Sequence, residues 1–332
     1  MIISRTPFRV SFFGGGTDYP VWYNKHGGAV LATSIDKYCY ITARYLPPFF
    51  DHKYRIRYTK REETQSVAEI KHPSVRECLN LVNLDRGVEI LHNADLPAMS
   101  GIGSSSAFTV GLLNALYALK GEMKTKYQLA LDAIHVEQDM IRENVGSQDQ
   151  VIAAFGGFNR IEFNYDQKIT VQPLTVAQDK VDTLQKHLML FFVGFPRNAS
   201  EIAGDLIRNT PQKQSELAAM RTIVEQAIDT LNSSHERLAD FGRLLHEAWM
   251  IKRSLAPLIT NQLVDEVCEA GLEAGALGGK LLGAGGGGFM LFFVNPELQD
   301  KVKEKLKNLL YVPFRFESSG SQIIYYAPQD NF

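Results

Sequence analysis

The sequence predicts two packed α+β domains. Strand patterns dominate the first 60 residues, helical patterns follow from residue 104, and strand patterns return in the second half. Strands that come first and helices that come later favour two mixed domains over a doubly wound parallel sheet. We place the boundary near residues 175–186, which gives an N-terminal domain over residues 1–180 and a C-terminal domain over residues 181–332.

The N-terminal domain begins with strand-like segments rich in Ile, Val, Tyr and Phe and bounded by Gly, Pro or Asn. They read IISRTPFRVSFF, AVLATSI, YCYITARYL, KYRIRYT and, at residues 88–96, VEILHNADL. Apolar residues at helical spacing then predict a largely buried helix over residues 104–120, closed by Gly121. A second helix is predicted over residues 125–143, after which GGFNRIEFN and ITVQPLTV return to strand.

The C-terminal domain opens with LMLFFVGF, a continuous apolar run typical of a buried strand. A helix-rich polar stretch follows over residues 200–276 without the sustained heptads of a coiled coil. FMLFFV at residues 289–294 and QIIYYA at residues 322–327 predict strands, with a helix near residues 297–310 between them.

The composition of the chain limits the classes of binding partner that we expect. The 332 residues are 45% apolar and 22% charged, as in ordinary globular proteins, and the net charge of -2 gives no general attraction for nucleic acid or an anionic membrane. Three dispersed cysteines, Cys39, Cys78 and Cys268, predict reduced thiols rather than a disulfide framework. No run resembles a signal peptide or a membrane span, so we expect a cytoplasmic protein without nucleic-acid or membrane partners.

A glycine-serine loop, SGIGSSSAF, lies between a predicted strand and a predicted helix. Unpaired amides and a positive dipole at a helix start favour an anion, and Gly101 and Gly103 allow its close approach. The hydroxyls of residues 104–106 can donate hydrogen bonds, cap the helix or give an oxygen to magnesium. The segment is not a Walker A motif, because it has no lysine. Alone, it fits either a phosphate loop or a serine cap with flexible glycines.

A second glycine loop, GGKLLGAGGGGFMLFFV, spans residues 278–294. Gly283, Gly285 and Gly288 match the GxGxxG dinucleotide fingerprint by letter, but that fingerprint needs a strand before the loop and a helix after it. Here a helix-like stretch precedes the loop and a strand follows, which disfavours dinucleotide binding. The density of glycine favours close approach to a ligand over a tight turn between packed elements.

Two acidic residues stand out in the middle of the chain. Glu137 is in register with the apolar stripe of its predicted helix, where a carboxylate is costly unless it is paired, protonated or bound to a cation. Asp149 follows twelve residues later, after a helix end at Gly146. A salt bridge and a helix cap are the simple alternatives. Beside a phosphate loop, the two acids indicate one that holds magnesium and one that receives a proton.

Three segments together resemble the motifs of the GHMP kinases, the superfamily of galactokinase, homoserine kinase and mevalonate kinase. They are RTPFRVSFFGGGTDYP, LPAMSGIGSSSAF and KLLGAGGGGFMLFF, which occur in family order across nearly the whole chain. The resemblance implies an N-terminal α/β domain like the second domain of ribosomal protein S5 and a ferredoxin-like α+β C-terminal domain. It also implies that ATP and substrate bind in the cleft between the two.

The resemblance also implies roles for single residues. The phosphates of ATP would be held by the first glycine loop, namely Ser100, Gly101, Ile102, Gly103, Ser104, Ser105 and Ser106. Ser105 and Glu137 would bind Mg²⁺. Asp149 would be the catalytic carboxylate, and Arg9 would steady the transferring phosphoryl group. These expectations make the protein an ATP- and Mg²⁺-dependent kinase with an alcohol acceptor.

The first motif bears on the substrate. Galactokinases have Glu-His where this chain has Gly15 and Gly16, so two side chains that grip sugar hydroxyls are missing. FFGGGTDYP and GGAVLATSIDKY look closer to the D-glycero-D-manno-heptose 7-phosphate kinases, which supply heptose for nucleotide-activated sugars of surface polysaccharides. The resemblance therefore implies phosphorylation of the C1 hydroxyl to the 1,7-bisphosphate. A fucokinase, which shares G-G-x-T-D, is the alternative. A non-catalytic sensor is disfavoured because Asp149, Glu137 and Ser105 are all present.

The expected substrate contacts come from both glycine motifs and one basic residue: Gly15, Gly16, Thr17, Asp18, Arg197, Gly285, Gly286 and Gly287. Lys252, Arg253 and Lys280 are further candidates for holding the phosphate of the sugar, although lone basic residues usually face water. Arg197 is preferred because a buried-type strand precedes it. The expected partners are a sugar phosphate and ATP, in a monomer or homodimer.

Overall fold

The computed structural model describes residues 1–195, 199–234 and 237–328. The first half of the chain forms seven strands and six helices within the described residues. In chain order these are β1 (Ile2–Phe13), α1 (Pro20–His26), β2 (Gly28–Tyr45), β3 (Tyr54–Arg57), β4 (Arg61–Thr64), α2 (Pro73–Val82), β5 (Val88–Ala94), α3 (Ser104–Lys120), α4 (Lys126–Ile134), α5 (Gln148–Phe155), β6 (Phe158–Phe163), β7 (Ile169–Pro173) and α6 (Gln178–His187).

The second half follows the same mixed pattern. Its elements are β8 (Leu188–Gly194), α7 (Ala199–Asn209), α8 (Gln214–Asn232), α9 (Leu238–Arg253), α10 (Gln262–Glu273), β9 (Ala276–Leu281), β10 (Gly288–Val294), α11 (Gln299–Lys305), β11 (Leu310–Tyr311), β12 (Phe316–Glu317) and β13 (Gln322–Tyr326).

The helix predicted over residues 104–120 has these bounds in the structure, because Gly121 takes the left-handed conformation that ends a helix (φ +81°). The helix predicted over residues 125–143 ends earlier. It consists of α4 and a π-helical segment, His135–Met140, in which an inserted residue rotates the following side chains. The stretch before the second glycine loop, expected to be helical, contains α10 (Gln262–Glu273), but the first residues of the predicted loop belong to the strand β9 (Ala276–Leu281).

Nine of the described strands form one large sheet with the central order β13-β1-β2-β5-β3-β4. The long strand β2 also pairs with β12 and β6, and β7 extends the sheet from β6. The apolar helix α3 packs on β1 and β2, which explains why it is buried over most of its surface. The start of α3 is therefore fixed beside β1.

Four described strands form the second sheet, in the order β11-β8-β10-β9 with every neighbouring pair antiparallel. Numbered along this half of the chain, the order is 4-1-3-2, with helices between the first and second strands and between the third and fourth. This is the ferredoxin-like arrangement. Both halves thus have the expected mixture of helix and sheet, and the C-terminal half has the expected ferredoxin-like arrangement.

The chain crosses back to the first sheet near its end. Glu317 pairs with Ser34 on β2, and Tyr326 pairs with Ile2 on β1. The division after residue 180 places β12 and β13 with the C-terminal half, whereas their hydrogen bonds place both strands in the N-terminal sheet. Short strands far along the chain give no sequence sign of which sheet they join.

Aromatic rings connect the two sheets at the end of β1. The ring of Phe241 on α9 packs edge-on against Phe12 and Phe13, with centroid separations of 5.4 and 4.9 Å. All three side chains are fully buried. Such packing holds the ferredoxin-like half against the end of β1, next to the glycine segment that follows Phe13.

Candidate active site

A cavity of about 330 Å³ lies where the two halves meet. Its walls come from β1 and the segment after it, both glycine loops, residues 143–149 and the helix α7. Nearly all of the motifs singled out in the sequence thus converge on one space.

The first glycine loop ends at the N-terminus of α3. Gly101 and Gly103 have φ of +81° and +73°, a region that side chains other than glycine rarely adopt. Gly103 is the N-cap residue, and no side chain accepts a hydrogen bond from the first turn of α3 in place of a cap. The hydroxyl of Ser104 instead accepts the amide of Met99 at 3.0 Å. The amides at the start of this 17-residue helix are therefore available to an anion.

Not every residue of this loop faces the cavity. Gly101, Gly103 and residues 104–106 line it, whereas Ser100 and Ile102 do not. The Ser100 hydroxyl donates to the carbonyl of Pro97 at 2.6 Å, and the Ile102 side chain is fully buried in the core. The side chains of these two expected ATP-binding residues therefore point away from the cavity, because alternate loop residues point inward.

The second glycine loop packs directly on the first. A Cβ atom on Gly283 would lie 2.3 Å from the Cα of Gly101, and one on Gly288 would lie 2.3 Å from the carbonyl oxygen of Ser100. Close backbone contact between the loops therefore explains part of the glycine density that was expected to serve a ligand. The loop joins two antiparallel strands, β9 and β10, so the structure also lacks the strand-loop-helix context of a dinucleotide site.

Within this loop, Gly285 and Gly287 line the cavity, but Gly286 does not. The Gly286 amide donates to the carbonyl of Ile259 at 2.9 Å, and its carbonyl accepts the side-chain amide of Asn261 at 2.9 Å. The expected substrate contact of Gly286 is thus wrong, because both of its backbone polar groups are used in anchoring the loop.

Arg9 and Asp149 form a two-bond ion pair on the cavity wall. The Arg9 Nε and Nη2 atoms donate to the two Asp149 carboxylate oxygens at 2.8 and 2.7 Å, and Nη1 donates to the carbonyl of Gly101 at 2.6 Å. The Arg9 side chain is only 4% exposed, while Asp149 remains 24% exposed. The arginine therefore fixes both the first glycine loop and a carboxylate that is still open to the cavity.

Glu137 is fully buried beneath the start of α3. Its Oε2 atom accepts hydrogen bonds from the Ser106 hydroxyl at 2.9 Å and from the side-chain amide of Gln150. The structure therefore pairs Glu137 with Ser106, whereas Ser105, the expected metal ligand, lines the cavity without a hydrogen bond to Glu137. Ser105 is exposed, because neighbouring residues on a helix are rotated by about 100° relative to each other.

The second oxygen of Glu137, Oε1, has no hydrogen-bond partner of normal geometry among the described residues, although the Thr109 side chain is close enough to lower the pKa of this carboxyl. The nearby Thr109 hydroxyl donates its one proton to the carbonyl of Ser105 at 3.2 Å. Burial raises the pKa of Glu137 to about 7, although hydrogen bonds to its carboxylate oppose the shift. An unpaired carboxylate oxygen beside a serine hydroxyl is the kind of hard oxygen donor set that Mg²⁺ prefers. The residues present thus fit a magnesium ion next to the first glycine loop.

Asp18 lies on another wall of the cavity and is itself almost fully buried. Its Oδ1 accepts the amide of Gly16 at 2.9 Å, and its Oδ2 approaches the amide of Gln148 at 3.4 Å. Burial raises the pKa of Asp18. Gly146 is needed beside it, because a Cβ atom there would lie 2.0 Å from Oδ2.

The remaining expected substrate residues have different outcomes. Gly15 and Gly16 line the cavity. Thr17 does not, since its buried hydroxyl donates to the carbonyl of Gly14 at 2.8 Å and closes a turn, so the expected substrate contact is wrong. Arg197 lies outside the described residues.

Two of the lysines that were candidates for binding the phosphate of the sugar line the cavity rather than facing water. Lys252 and Lys280 are 7% and 2% exposed, and burial lowers the pKa of both, to about 8 for Lys252. Arg253, in contrast, donates to Asp265 at 2.8 Å and does not line the cavity.

Some residues of the cavity wall were not among the site residues predicted from the sequence. They include Tyr19, Glu143, Asn144, Ser200, Ala203 and Leu206. Residues 143–146 connect a π-helical segment to α5. Such an irregular connection has no periodic pattern from which its position could be predicted. The side chains of α7 follow an amphipathic helix, which indicates a buried face but not what the face contacts.

Known protein families match both halves of the chain. The model described as GHMP kinases N terminal domain matches residues 69–157, and the model described as GHMP kinases C terminal matches residues 216–312. Together the matches span more than half of the sequence. The chain belongs to the GHMP kinase family. This GHMP kinase is therefore an ATP-dependent phosphotransferase, and the sequence-based prediction of a kinase is confirmed.

The GHMP kinase has full-length relatives. It is 29% identical over 333 residues to D-glycero-alpha-D-manno-heptose 7-phosphate kinase of Campylobacter jejuni, covering 96% of this chain and 97% of the relative. It is 23% identical to the bifunctional fucokinase/GDP-fucose pyrophosphorylase of Arabidopsis thaliana, covering 91% of this chain and 30% of that protein.

Among solved structures, a D-glycero-D-manno-heptose 1-phosphate kinase from Bacteroides thetaiotaomicron superposes with a TM-score of 0.73. The match has 24% identity and covers 98% of this chain and 99% of the other, and it shows a shared fold. Within the described part of this GHMP kinase, no helix combines the length and apolar character that crossing a membrane requires.

Proposed function

We propose that this kinase transfers the γ-phosphoryl group of ATP to the C1 hydroxyl of D-glycero-D-manno-heptose 7-phosphate, which gives the 1,7-bisphosphate. The 29% identity over nearly full length to a heptose 7-phosphate kinase supports this substrate class. The observation that carries the chemistry is the two-bond ion pair between Arg9 and Asp149 on the cavity wall. Arg9 also donates to the carbonyl of Gly101, and a Cβ atom on Gly103 at the start of α3 would lie within 3.4 Å of both side chains.

In the proposed reaction, the C1 oxygen attacks the γ-phosphorus atom and the bond between that phosphorus and the β,γ-bridging oxygen breaks, so that ADP leaves. Asp149 orients the hydroxyl and accepts its proton. The ion pair uses one lone pair on each carboxylate oxygen, and a carboxylate has about four acceptor sites, so an acceptor remains for substrate. An anomeric hydroxyl is more acidic than an ordinary alcohol, which suits a weak base.

Arg9 keeps the catalytic carboxylate in place. A guanidinium held by three hydrogen bonds cannot rotate without breaking them, so the distance from Asp149 to the loop of residues 101–103 is fixed before substrate arrives. Amides at the start of α3 bind the phosphate oxygens and stabilise charge that builds up during transfer.

Ser106 and Glu137 are proposed to hold magnesium. The ion would neutralise phosphate charge when bound. The unpaired Oε1 atom of Glu137 and the adjacent Ser106 hydroxyl are the protein oxygens that the site offers. Gln150 holds the other carboxylate oxygen and so fixes the direction in which Oε1 points.

Gly15 and Gly16 leave space on the substrate side of the cavity, where a galactokinase has two polar side chains. A heptose carrying a phosphate is longer than a hexose and needs this space. Asp18 is proposed to bind a sugar hydroxyl, since it lines the cavity next to both glycines.

A fucokinase remains the alternative, because one relative carries a fucokinase in its name. An ADP-release assay separates the candidates by comparing D-glycero-D-manno-heptose 7-phosphate, the corresponding 1-phosphate, L-fucose, D-mannose and D-galactose. We expect turnover with the 7-phosphate and a product whose new phosphorus signal couples to the C1 proton in NMR. Turnover with fucose but not with the 7-phosphate would overturn the substrate assignment.

A further inference from the structure

Lys252 brings a buried positive charge to the cavity from the C-terminal half. Its ammonium group donates to the carbonyls of Leu281, at 3.3 Å, and Gly283. An ammonium has three N–H donors, so one remains after these two bonds. The side chain is 7% exposed and belongs to the cavity wall, which leaves the third donor free for a ligand in the cavity.

Lys252 forms no direct ion pair in the described part of the protein, and the carboxylates of Asp18 and Asp149 act on its charge only from a distance. Neither Lys252 nor Lys280 has a carboxylate within ion-pair distance among the described residues, whereas Arg9 is fully paired with Asp149. Carbonyl oxygens satisfy hydrogen bonds but do not cancel a full charge. A buried cation without a counter-ion is unfavourable, and an anionic ligand in the cavity would remove that cost.

The position of Lys252 identifies which anion it meets. Gly283, whose carbonyl holds the ammonium, packs backbone to backbone on Gly101 of the first glycine loop. Gly101 in turn accepts a hydrogen bond from Arg9. Lys252 thus hydrogen-bonds a residue that contacts the phosphate loop at Gly101, whose carbonyl is held by Arg9 of the catalytic ion pair.

We propose that Lys252 is a further catalytic residue, which binds the non-bridging oxygens of the phosphoryl group in transfer. This inference rests on the proposed phosphoryl transfer but not on the identity of the sugar. It answers a question that the sequence raises, since the first glycine loop lacks the lysine of a Walker A motif. The missing charge comes from α9, more than 140 residues further along the chain.

Lys280 has a different role. Its ammonium donates to the carbonyls of Ser11 and Phe12 at 2.8 and 2.5 Å, so it fixes the end of β1, two residues beyond Arg9. It is a positioning residue, and its charge adds to the positive potential around Lys252.

The test compares Lys252→Met with Lys252→Arg and with the neighbouring control Arg253→Met, whose side chain is paired with Asp265 outside the cavity. Affinities for ATP and for ADP are measured separately by calorimetry without sugar, and kcat is measured with sugar. Loss of a charge-assisted contact to the γ-phosphoryl group should weaken ATP binding about tenfold or more in Lys252→Met. ADP binding should change less than about threefold, and kcat should fall about a hundredfold.

Three results would overturn the proposal. Equal losses of ATP and ADP affinity, together with a lower Tm, would show that Lys252 only anchors the second glycine loop. A higher KM for the sugar phosphate, with ATP affinity and the kcat for an unphosphorylated sugar unchanged, would place Lys252 at the phosphate of the sugar. Wild-type behaviour of Lys252→Met would remove it from the site. Because the nucleotide measurements use no sugar, a wrong sugar assignment leaves them interpretable.

The Lys252→Arg variant distinguishes the effect of losing the charge from the effect of disturbing the fold. Lys252→Arg keeps the cation, so it should restore part of the selectivity for ATP over ADP that Lys252→Met loses. If Lys252→Met fails to fold, a Lys252→Arg protein that folds but binds ATP and ADP with the same ratio as a neutral Lys252→Gln protein contradicts the proposal.

Discussion

Gly283 and Gly101 meet backbone to backbone, and a single added carbon on Gly283 would lie 2.3 Å from the Cα of Gly101. The two glycine motifs, 182 positions apart in the sequence, therefore form one structural unit. The first glycine loop can adopt its conformation because Gly283 of the second glycine loop has no side chain that would overlap with it.

Gly283→Ala should therefore damage both stability and nucleotide binding. We expect a loss of about 2–3 kcal/mol in the free energy of unfolding, from the overlap and from the positive φ of +76°. The KM for ATP should rise because the phosphate loop must move. Gly121→Ala is the matched control, since Gly121 has a similar φ of +81° but open space around it, and it should cost only about 1 kcal/mol. Equal losses in both variants, measured by chemical denaturation, would argue against loop contact as the cause.

Asp149→Asn should lose turnover while it keeps nucleotide binding. The amide cannot accept the substrate proton, and it also weakens the ion pair to Arg9, so kcat should fall by about 10²–10⁴-fold. MgATP affinity, measured by calorimetry, should stay within about threefold of wild type. Asp132→Asn is a remote control, because Asp132 accepts a hydrogen bond from Tyr117 on the far part of α3. Turnover that survives in Asp149→Asn would remove this residue from the catalytic role.

Neighbouring serines offer a test of the magnesium site. Ser106→Ala and Glu137→Gln should each raise the Mg²⁺ concentration for half-maximal activity about tenfold, since each removes a proposed oxygen ligand or its charge. Ser105→Ala should shift that concentration less, because the Ser105 hydroxyl is exposed and does not contact Glu137. A larger effect of Ser105→Ala than of Ser106→Ala, in magnesium titrations at saturating ATP, would reverse the assignment.

The rate should decline at alkaline pH through Lys252. Burial and the nearby charge of Arg9 lower its pKa to about 8, while Asp18 and Asp149 oppose the shift and Lys280 lies close by. A lysine is charged only below its pKa, so kcat/KM for ATP, which reflects the free enzyme, should fall as the pH rises through about 8. Lys252→Arg keeps its charge at that pH and should lose this decline. The same decline in Lys252→Arg would assign it to another group.

The sequence predicted a good part of the fold because the relevant signals are local. Apolar spacing and Gly121 gave α3 with the observed bounds, and the long apolar runs gave β8 and β10. By contrast, β9 was not predicted, since its GGKL segment has neither alternation nor β-branched residues and was assigned to the second glycine loop. Its strand conformation comes from pairing with β10.

The site residues that belong to a sequence motif could be predicted. The residues whose role depends on the rotation of a helix or on contacts between distant segments could not. Glu137 and Asp149 were singled out from residue type and position, and Arg9 from the resemblance to the GHMP kinases. Arg9 and Asp149 line the cavity, and Glu137 lies beneath the start of α3. The choice between Ser105 and Ser106 depends on the rotation of α3 about its axis. Lys252 was only one of several basic candidates, because its carbonyl partners lie on a loop about 30 residues away, which no local pattern shows.

The return of β13 to the first sheet has a consequence for biosynthesis. Strand β1 is made before the strand that covers its edge, which lies more than 300 residues later. Until residues 322–326 are made, this part of β1 presents unpaired amides and carbonyls, the kind of edge on which chains associate. A fragment that contains the first sheet but lacks β13 should therefore associate more readily than the chain with β13.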